Sequence, residues 1–444
     1  MFDVDAYLNT FTNWEPRLDQ AGVSSFSVDR MEALLKVFRH PESALLFAHI
    51  AGSKGKGSTA AFLASILRAA GYRTGLYTSP HLYSYHERIR VLEPGAEAVS
   101  VTSDFFEGAI SREVFKERLL FYKADIDSLR ARGVEITYYE LMTALAMAYF
   151  TAKGVKVVVL ETGLGGRLDA TNVFETSVCG ITPIGFEHTQ ILGNTLAQIA
   201  AEKAAIIKSP SQRVAFAPQA AEVLSVLMDR AALYGIIPTL VGVDMPVDIE
   251  EVSLEGVRFS TSGRRDYHGL FSRLAGEHQA YNAALAVALA EDLEAYGLLI
   301  TEEAVVQGIA RTVWPGRFEI LPGNPLLVVD SAHTIPSARA CAHTFAALFP
   351  GRKAVLILGM SGDKDVAGVC RELAPVTARV IAARTRHPRA FEFTAENLQG
   401  FFPDVPFEVC PDTVAAKAAA TRVAGKDGII LAAGSVFLAA EVRR

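Results

Sequence analysis

The segment that most restricts what this chain can become is Leu45-Leu46-Phe47-Ala48-His49-Ile50-Ala51, which runs straight into Gly52-Ser53-Lys54-Gly55-Lys56-Gly57-Ser58-Thr59. A continuous apolar run of this length, stopped by glycine, predicts a strand buried on both faces, the habit of parallel sheets. A helical pattern over about 58–70, closed by Gly71, completes a strand–turn–helix unit. Closely spaced glycines let backbone N–H groups converge on an anion at a helix N-terminus, and Lys56 can reach a terminal phosphate. The spacing is a variant, since the standard loop has four residues between its first glycine and Gly-Lys, whereas only Ser53 and Lys54 separate Gly52 from Gly55. On its own the octapeptide reads either as a phosphate cradle or as a purely structural turn.

The same alternation of apolar runs and amphipathic stretches recurs along the chain. Strands are predicted over 74–78, 155–161 and 178–184, and helices over 139–151, 196–207 and 220–233. Residues 252–259 alternate apolar and polar, as a half-exposed antiparallel strand does. Two helix breakers in Trp314-Pro315-Gly316 interrupt the pattern. A second cycle follows, with strands over 326–330, 354–359, 380–383 and 429–433 and helices over 336–348 and 413–423. This α/β organisation places a domain boundary near residue 313, giving units of 1–313 and 314–444, each large enough for its own core.

Charge and composition exclude several functions. Forty-three Lys and Arg against 49 Asp and Glu leave a net charge of −6, so no chain-wide attraction for nucleic acid or anionic lipid is expected. The apolar stretches 141–152 and 283–290 fall short of the ~18 residues of a membrane span. The N-terminal Asp3 and Asp5 stand where a leader needs positive charge, and a cytoplasmic address is expected. Cys179, Cys341, Cys370 and Cys410 are too scattered for a zinc site and read as small core hydrophobes.

A second strand ends in glycine at Glu161-Thr162-Gly163-Leu164-Gly165-Gly166-Arg167. Leu168 stands where a dinucleotide-binding Gly-x-Gly-x-x-Gly needs its last glycine, so this is a different turn. Glu161 occupies the strand end where α/β enzymes put ligand groups, although such a residue is also often a solvated turn. His188, in Gly185-Phe186-Glu187-His188-Thr189, reads singly as a loop hydrogen-bonding residue or a metal ligand.

Taken in order, these motifs resemble the folylpolyglutamate synthase and dihydrofolate synthase family, within the ATP-dependent Mur ligases. The resemblance rests on the glycine loop 52–58, Ser79-Pro80-His81-Leu82, Glu87-Arg88-Ile89, Thr137-Tyr138-Tyr139-Glu140, the run 163–172, Glu187-His188-Thr189, Glu202-Lys203-Ala204-Ala205-Ile206, Pro315-Gly316-Arg317-Phe318, Asp330-Ser331-Ala332-His333, Asp363-Lys364-Asp365 and Gly434-Ser435. It implies a P-loop nucleotide-binding domain with a parallel-rich sheet, joined to a C-terminal Rossmann-like α/β domain, with the active site in the cleft between them. It further implies ATP contacts at Gly52, Gly55, Lys56, Gly57, Ser58, Asn282, Arg317 and Asp330. Magnesium would be held by Ser79, Glu161 and His188, and Lys203 would carry a carbamate. The catalytic group is then Lys56, Lys203, His188 and Arg317.

By the same resemblance Tyr138, Glu140, Arg167 and Asp169 mark the pterin region, and Asp29 and Arg30 a dihydropteroate contact. The implied reaction activates a carboxylate with ATP and captures it with the amine of L-glutamate, the acceptor being a folate or dihydropteroate and the enzyme a monomer. Three departures stand out: Ser53-Lys54 replaces the usual Thr-Asn, Thr334-Ile335-Pro336 alters the turn after His333, and Ser27-Val28-Asp29-Arg30 only loosely follows the family's Gly-Leu-Glu-Arg. Two other readings compete: a Mur-type ligase for a different acid, such as a cell-wall precursor, and a non-catalytic nucleotide-binding protein on this scaffold.

Overall fold

In the computed structural model, residues 2–95 and 106–444 are described. Strands β1 (Leu46–Ala51), β2 (Thr74–Tyr77), β3 (Ile89–Leu92), β4 (Val157–Glu161), β5 (Val178–Ile181), β6 (Arg213–Phe216) and β7 (Thr239–Leu240) form a sheet of order β3-β2-β4-β1-β5-β6-β7. All neighbours pair in parallel except β2 with β3. β1 lies in the middle, paired with β4 and β5. Central strands must bury both faces, which is why Leu46–Ala51, Val157–Glu161 and Val178–Ile181 carry almost no polar side chains. The carboxyl ends of these three strands open at one edge, and everything chemical gathers there.

On one face the helices Lys56–Ala69 and Glu277–Leu293 pack together in a single core with the sheet. On the other, Tyr138–Ala152 is buried along nearly its whole length. No helix among the described residues is long and apolar enough to cross a membrane. All four cysteines are buried and free, as expected of core residues.

The expected strand over 252–259 is corrected by the structure. It spans the end of β8 (Val247–Ser253), a turn at Leu254-Glu255, and the start of β9 (Gly256–Ser262), with β10 (Asp266–Ser272) completing a small antiparallel sheet. The apolar positions shift from even (Val252, Leu254) to odd (Val257, Phe259) at Gly256, and that change of phase marks the reversal.

The third sheet contains β11 (Glu319–Leu321), β12 (Leu326–Val329), β13 (Ala354–Leu358), β14 (Thr377–Ala383), β15 (Phe407–Cys410) and β16 (Ile429–Ala433), in the order β11-β12-β16-β13-β14-β15. Only β11 runs antiparallel. Helices Ile335–Leu348 and Thr413–Ala424 cover its faces. Leu82, from the loop after β2, packs into the core of this sheet, and Tyr83 accepts a hydrogen bond from Arg443. The two larger sheets therefore meet across the loop that carries Ser79.

Candidate active site

The glycine loop follows β1 at the sheet edge. Gly52 has φ +143°, and a Cβ there would lie 1.9 Å from Thr182 Oγ1, so only glycine fits. Gly55, at φ +88°, lies so close to Asn282 that a Cβ would stand 2.3 Å from its Oδ1. The amides of Ser53 and Lys54 both donate to the Pro183 carbonyl, at 3.0 and 3.1 Å, pinning the loop to the segment after β5. Lys56 opens the helix, its Nζ 3.0 Å from the Gly52 carbonyl, and Gly57 and Ser58 form the first turn. A helix N-terminus is electrostatically the wrong place for a cation, so Lys56 makes sense as a partner for an anion.

Around this loop lies a buried charged cluster. Glu161, at the end of β4, accepts from the Ser79 amide at 3.1 Å, and burial pushes its carboxyl up while Lys56 opposes the shift. Lys203, 1% exposed, donates to Glu187 at 2.7 Å and to the Gly52 carbonyl at 2.9 Å. Lys54 reaches the other Glu187 oxygen at 3.8 Å. Burial alone would raise the Glu187 pKa, but Lys203, Lys56 and Lys54 together outweigh it and hold this carboxyl well below the usual range. His188, at φ +46°, is kept neutral by burial, its pKa pushed down to about 3.

A cavity of about 400 Å³ runs from this cluster to the third sheet, lined by Ser79 and His188 on one side and Arg317, Ser331 and His333 on the other. Asp330, at the end of β12, accepts from the Phe318 and Ala332 amides, both at 2.7 Å, and so shapes the turns presenting Arg317 and His333. Burial pushes the Asp330 carboxyl up while Arg317 pulls it down. Further along the same wall stand Lys364 and Arg389, 3.1 and 2.9 Å from one Asp363 oxygen. Arg389 Nε is buried without a hydrogen-bond partner among the described residues. Two cations on one carboxylate leave a net positive charge facing the cavity.

The Mur ligase middle domain matches residues 120–290, and the Mur ligase glutamate ligase domain matches residues 316–436. A dihydrofolate synthase/folylpolyglutamate synthase of Bacillus subtilis is 31% identical over 428 residues, covering 94% of this chain and 94% of that one. The chain belongs to the folylpolyglutamate synthase and dihydrofolate synthase family. A Mycobacterium tuberculosis folylpolyglutamate synthase solved in complex with ADP has a TM-score of 0.86 and 30% identity, covering 99% of this chain and 96% of that one. A probable bifunctional folylpolyglutamate synthase/dihydropteroate synthase of Halobacterium salinarum is 33% identical over 408 residues, but the chain spans only 46% of its length.

Within this folylpolyglutamate synthase family fold, the residues expected at the pterin end are differently placed. Asp169 lines the cavity, accepting from the Leu164 amide at 2.8 Å and from the Thr171 amide and hydroxyl at 2.9 and 2.5 Å. Glu140 also lines it, and Arg30 donates to Glu140 at 3.0 Å and to the Ser25 carbonyl at 2.6 Å. Tyr138 instead faces a neighbouring cavity with Asp5, Arg17 and Tyr85. Arg167 pairs with Glu202 at 3.0 Å outside the main cavity, and Asp29 is exposed on the helix Val28–Val37, away from it.

Three residues that the structure places at the centre had no role in the sequence reading: Glu187, Lys364 and Arg389. Glu187 and Lys364 stood within recognised motifs. Nothing in the sequence marks Arg389.

The chemistry of the residues expected to hold magnesium is compatible with that ion. No three of His, Cys, Asp and Glu converge as a metal cluster among the described residues. A hydroxyl, a carboxylate and an imidazole, as Ser79, Glu161 and His188 would supply, suffice for an ion that keeps several waters and takes its remaining ligands from phosphate oxygens.

Proposed function

We propose that this ATP-dependent folate ligase adds L-glutamate both to reduced folates and to dihydropteroate, working as a cytoplasmic magnesium-dependent monomer. Residues 1–313 would supply the phosphate loop, and 314–444 would close the nucleotide site from the other side and hold the incoming amino acid. The observation that carries this reading is a cavity lined by Ser79 and His188, which adjoin the phosphate-loop cluster, and by the basic wall of Lys364 and Arg389. A carboxylate is a poor electrophile, so one of its oxygens attacks the γ-phosphorus of ATP and ADP departs. The neutral glutamate amine then attacks the acyl carbon, the C–O bond to phosphate breaks, and phosphate leaves with the electron pair and takes up the proton lost from nitrogen. Lys56 and Arg317 neutralise charge on the phosphates during the first step. Magnesium, held by Ser79, Glu161 and His188, would supply further charge neutralisation. Asn282 and Asp330 set the two sides of the nucleotide site, while Asp169 and Glu140 orient the acceptor.

The test is to offer dihydropteroate or tetrahydrofolate with ATP, magnesium and glutamate, and to measure ADP and the glutamylated product. Both acceptors should gain one glutamyl unit. Gain by tetrahydrofolate alone leaves a polyglutamate synthase, and gain by neither overturns the reading.

Arg389 and Lys364 are the groups suited to glutamate's carboxylates, Arg389 because its buried Nε lacks a hydrogen-bond partner among the described residues. Arg389→Ala should raise the glutamate KM about 10-fold or more, as expected when a charged hydrogen bond is removed, and leave the ATP KM nearly unchanged.

Lys203 is proposed to add CO2 in the active enzyme, turning an ammonium into a carboxylate that suits the magnesium site. This places a second anion beside Glu187, which Lys54, Lys56 and the metal would balance. ¹³C-bicarbonate should give a carbamate NMR signal in the parent that is missing from Lys203→Ala. Measured on CO2-free protein, in which Lys203 is the ammonium paired with Glu187, that variant should also lose about 3–5 kcal/mol of stability, because Glu187 loses its closest buried partner.

A further inference from the structure

Arg88 has no part in the chemistry so far, yet its side chain is only 1% exposed. Its terminal nitrogens bond both oxygens of Glu15, at 2.5 and 2.7 Å, and its Nε donates to His81 Nδ1 at 3.0 Å. A guanidinium carries only donors and does not give up its proton. The proton in the Arg88–His81 bond therefore belongs to arginine, and His81 Nδ1 offers a lone pair. An imidazolium has no lone pair to offer, so the ring is neutral and its one proton sits on Nε2. Glu15 cancels the charge of Arg88, leaving the imidazole beside a neutral pair.

His81 and Glu15 both line the cavity, and the Nε2 edge of His81 has no hydrogen-bond partner among the described residues. His333 is set the opposite way. Its Nδ1 lies 2.8 Å from the Ser331 carbonyl, which can only accept, so Nδ1 carries a proton, and burial keeps the ring neutral, leaving Nε2 an acceptor. One cavity thus holds one imidazole fixed as a donor and one fixed as an acceptor.

We propose that His81, locked by Arg88 as the Nε2–H tautomer, donates to one oxygen of the acceptor's reacting carboxylate and aims the other at the γ-phosphorus. This deepens the ligase reading and rests on it. His81 lies two residues after Ser79, whose amide meets Glu161, and lines the same cavity as Ser79, His188 and Arg317. Its neutrality matters chemically. A cation would bind the carboxylate more strongly but withdraw the charge that makes it a nucleophile, whereas a neutral N–H orients it at a smaller cost. The unbound oxygen forms the new P–O bond, the bond to the β–γ bridging oxygen breaks, and ADP leaves with the electron pair. No proton passes to or from His81. When the amine attacks the acyl carbon, the same N–H faces the oxygen that gains negative charge.

Three variants separate donor chemistry from packing. His81→Gln can place an amide N–H near the Nε2 position, His81→Asn places one nearer Nδ1, and His81→Ala has neither. Acceptor Kd would be measured by calorimetry without ATP. Activation would be followed by scrambling of β,γ-bridge ¹⁸O in ATP with acceptor but no glutamate. Ala and Asn should weaken acceptor binding about 10-fold or more and slow scrambling about 100-fold, with Gln recovering most of both and nucleotide Kd constant throughout. Asn matching Gln, or Ala binding acceptor like the parent, overturns this assignment alone. A parent that binds neither folate nor dihydropteroate overturns the ligase reading and this assignment with it.

Discussion

Lys56→Ala should lower turnover by about three orders of magnitude, the scale on which a phosphate-clamping cation contributes to phosphoryl transfer, while the melting temperature stays level or rises slightly. The two halves of this expectation have one origin. Lys56 is the first residue of the helix Lys56–Ala69, where the positive end of the helix dipole disfavours a cation. Removing the charge relieves about 0.3–1 kcal/mol of unfavourable interaction in the free protein but takes away the partner of the terminal phosphates. Lys56 also lies within reach of Glu161, Glu187 and His188, whose ionisation it biases. Turnover and thermal melting, measured on the same preparation, should therefore move independently. Near-parental turnover in a folded Lys56→Ala protein would contradict the phosphate-loop assignment.

Gly52→Ala should be nearly as damaging for a steric reason. The added Cβ would lie 1.9 Å from Thr182 Oγ1, 2.9 Å from its Cβ and 2.8 Å from its carbonyl oxygen, at a φ of +143° that alanine rarely adopts. Overpacking and backbone strain together cost about 2–6 kcal/mol, and the loop must shift away from Pro183, to which Ser53 and Lys54 are tied. Nucleotide affinity should fall at least about 10-fold, and the protein should melt lower. Adding Thr182→Ala removes only the hydroxyl contact, because the Cβ and carbonyl remain, so at most partial recovery is expected. Calorimetric titration with ADP on the single and double variants checks both statements.

The parts of the fold legible in the sequence are those whose signal is local. β1 begins one residue later than its apolar run suggested, and the helix expected from Ser58 begins at Lys56, because strand, glycine turn and helix are all encoded within one short segment. The helix Glu277–Leu293 was visible only as an apolar stretch. It is buried on almost every side, which removes the polar face that periodicity needs. The candidate site was legible where one residue's position sufficed, as for Glu161 at a strand end or Lys56 after its glycine. Glu187 was not, because its importance lies in contacts with Lys203 and Lys54, which arrive from a separate helix and from the phosphate loop. Arg389 was less legible still, since a lone loop arginine gains meaning only once Asp363 and the cavity stand beside it.

The central claim, that one cleft activates an acceptor carboxylate as an acyl phosphate and passes it to glutamate, is tested most directly with tetrahydrofolate whose terminal carboxylate is labelled with ¹⁸O. ATP, magnesium and glutamate would be supplied, and phosphate and product analysed by mass spectrometry. One ¹⁸O per turnover should appear in inorganic phosphate, matched by equal amounts of ADP and of product one glutamyl unit heavier. Unlabelled phosphate accompanying ADP, or ADP formed without glutamylated product, would contradict it.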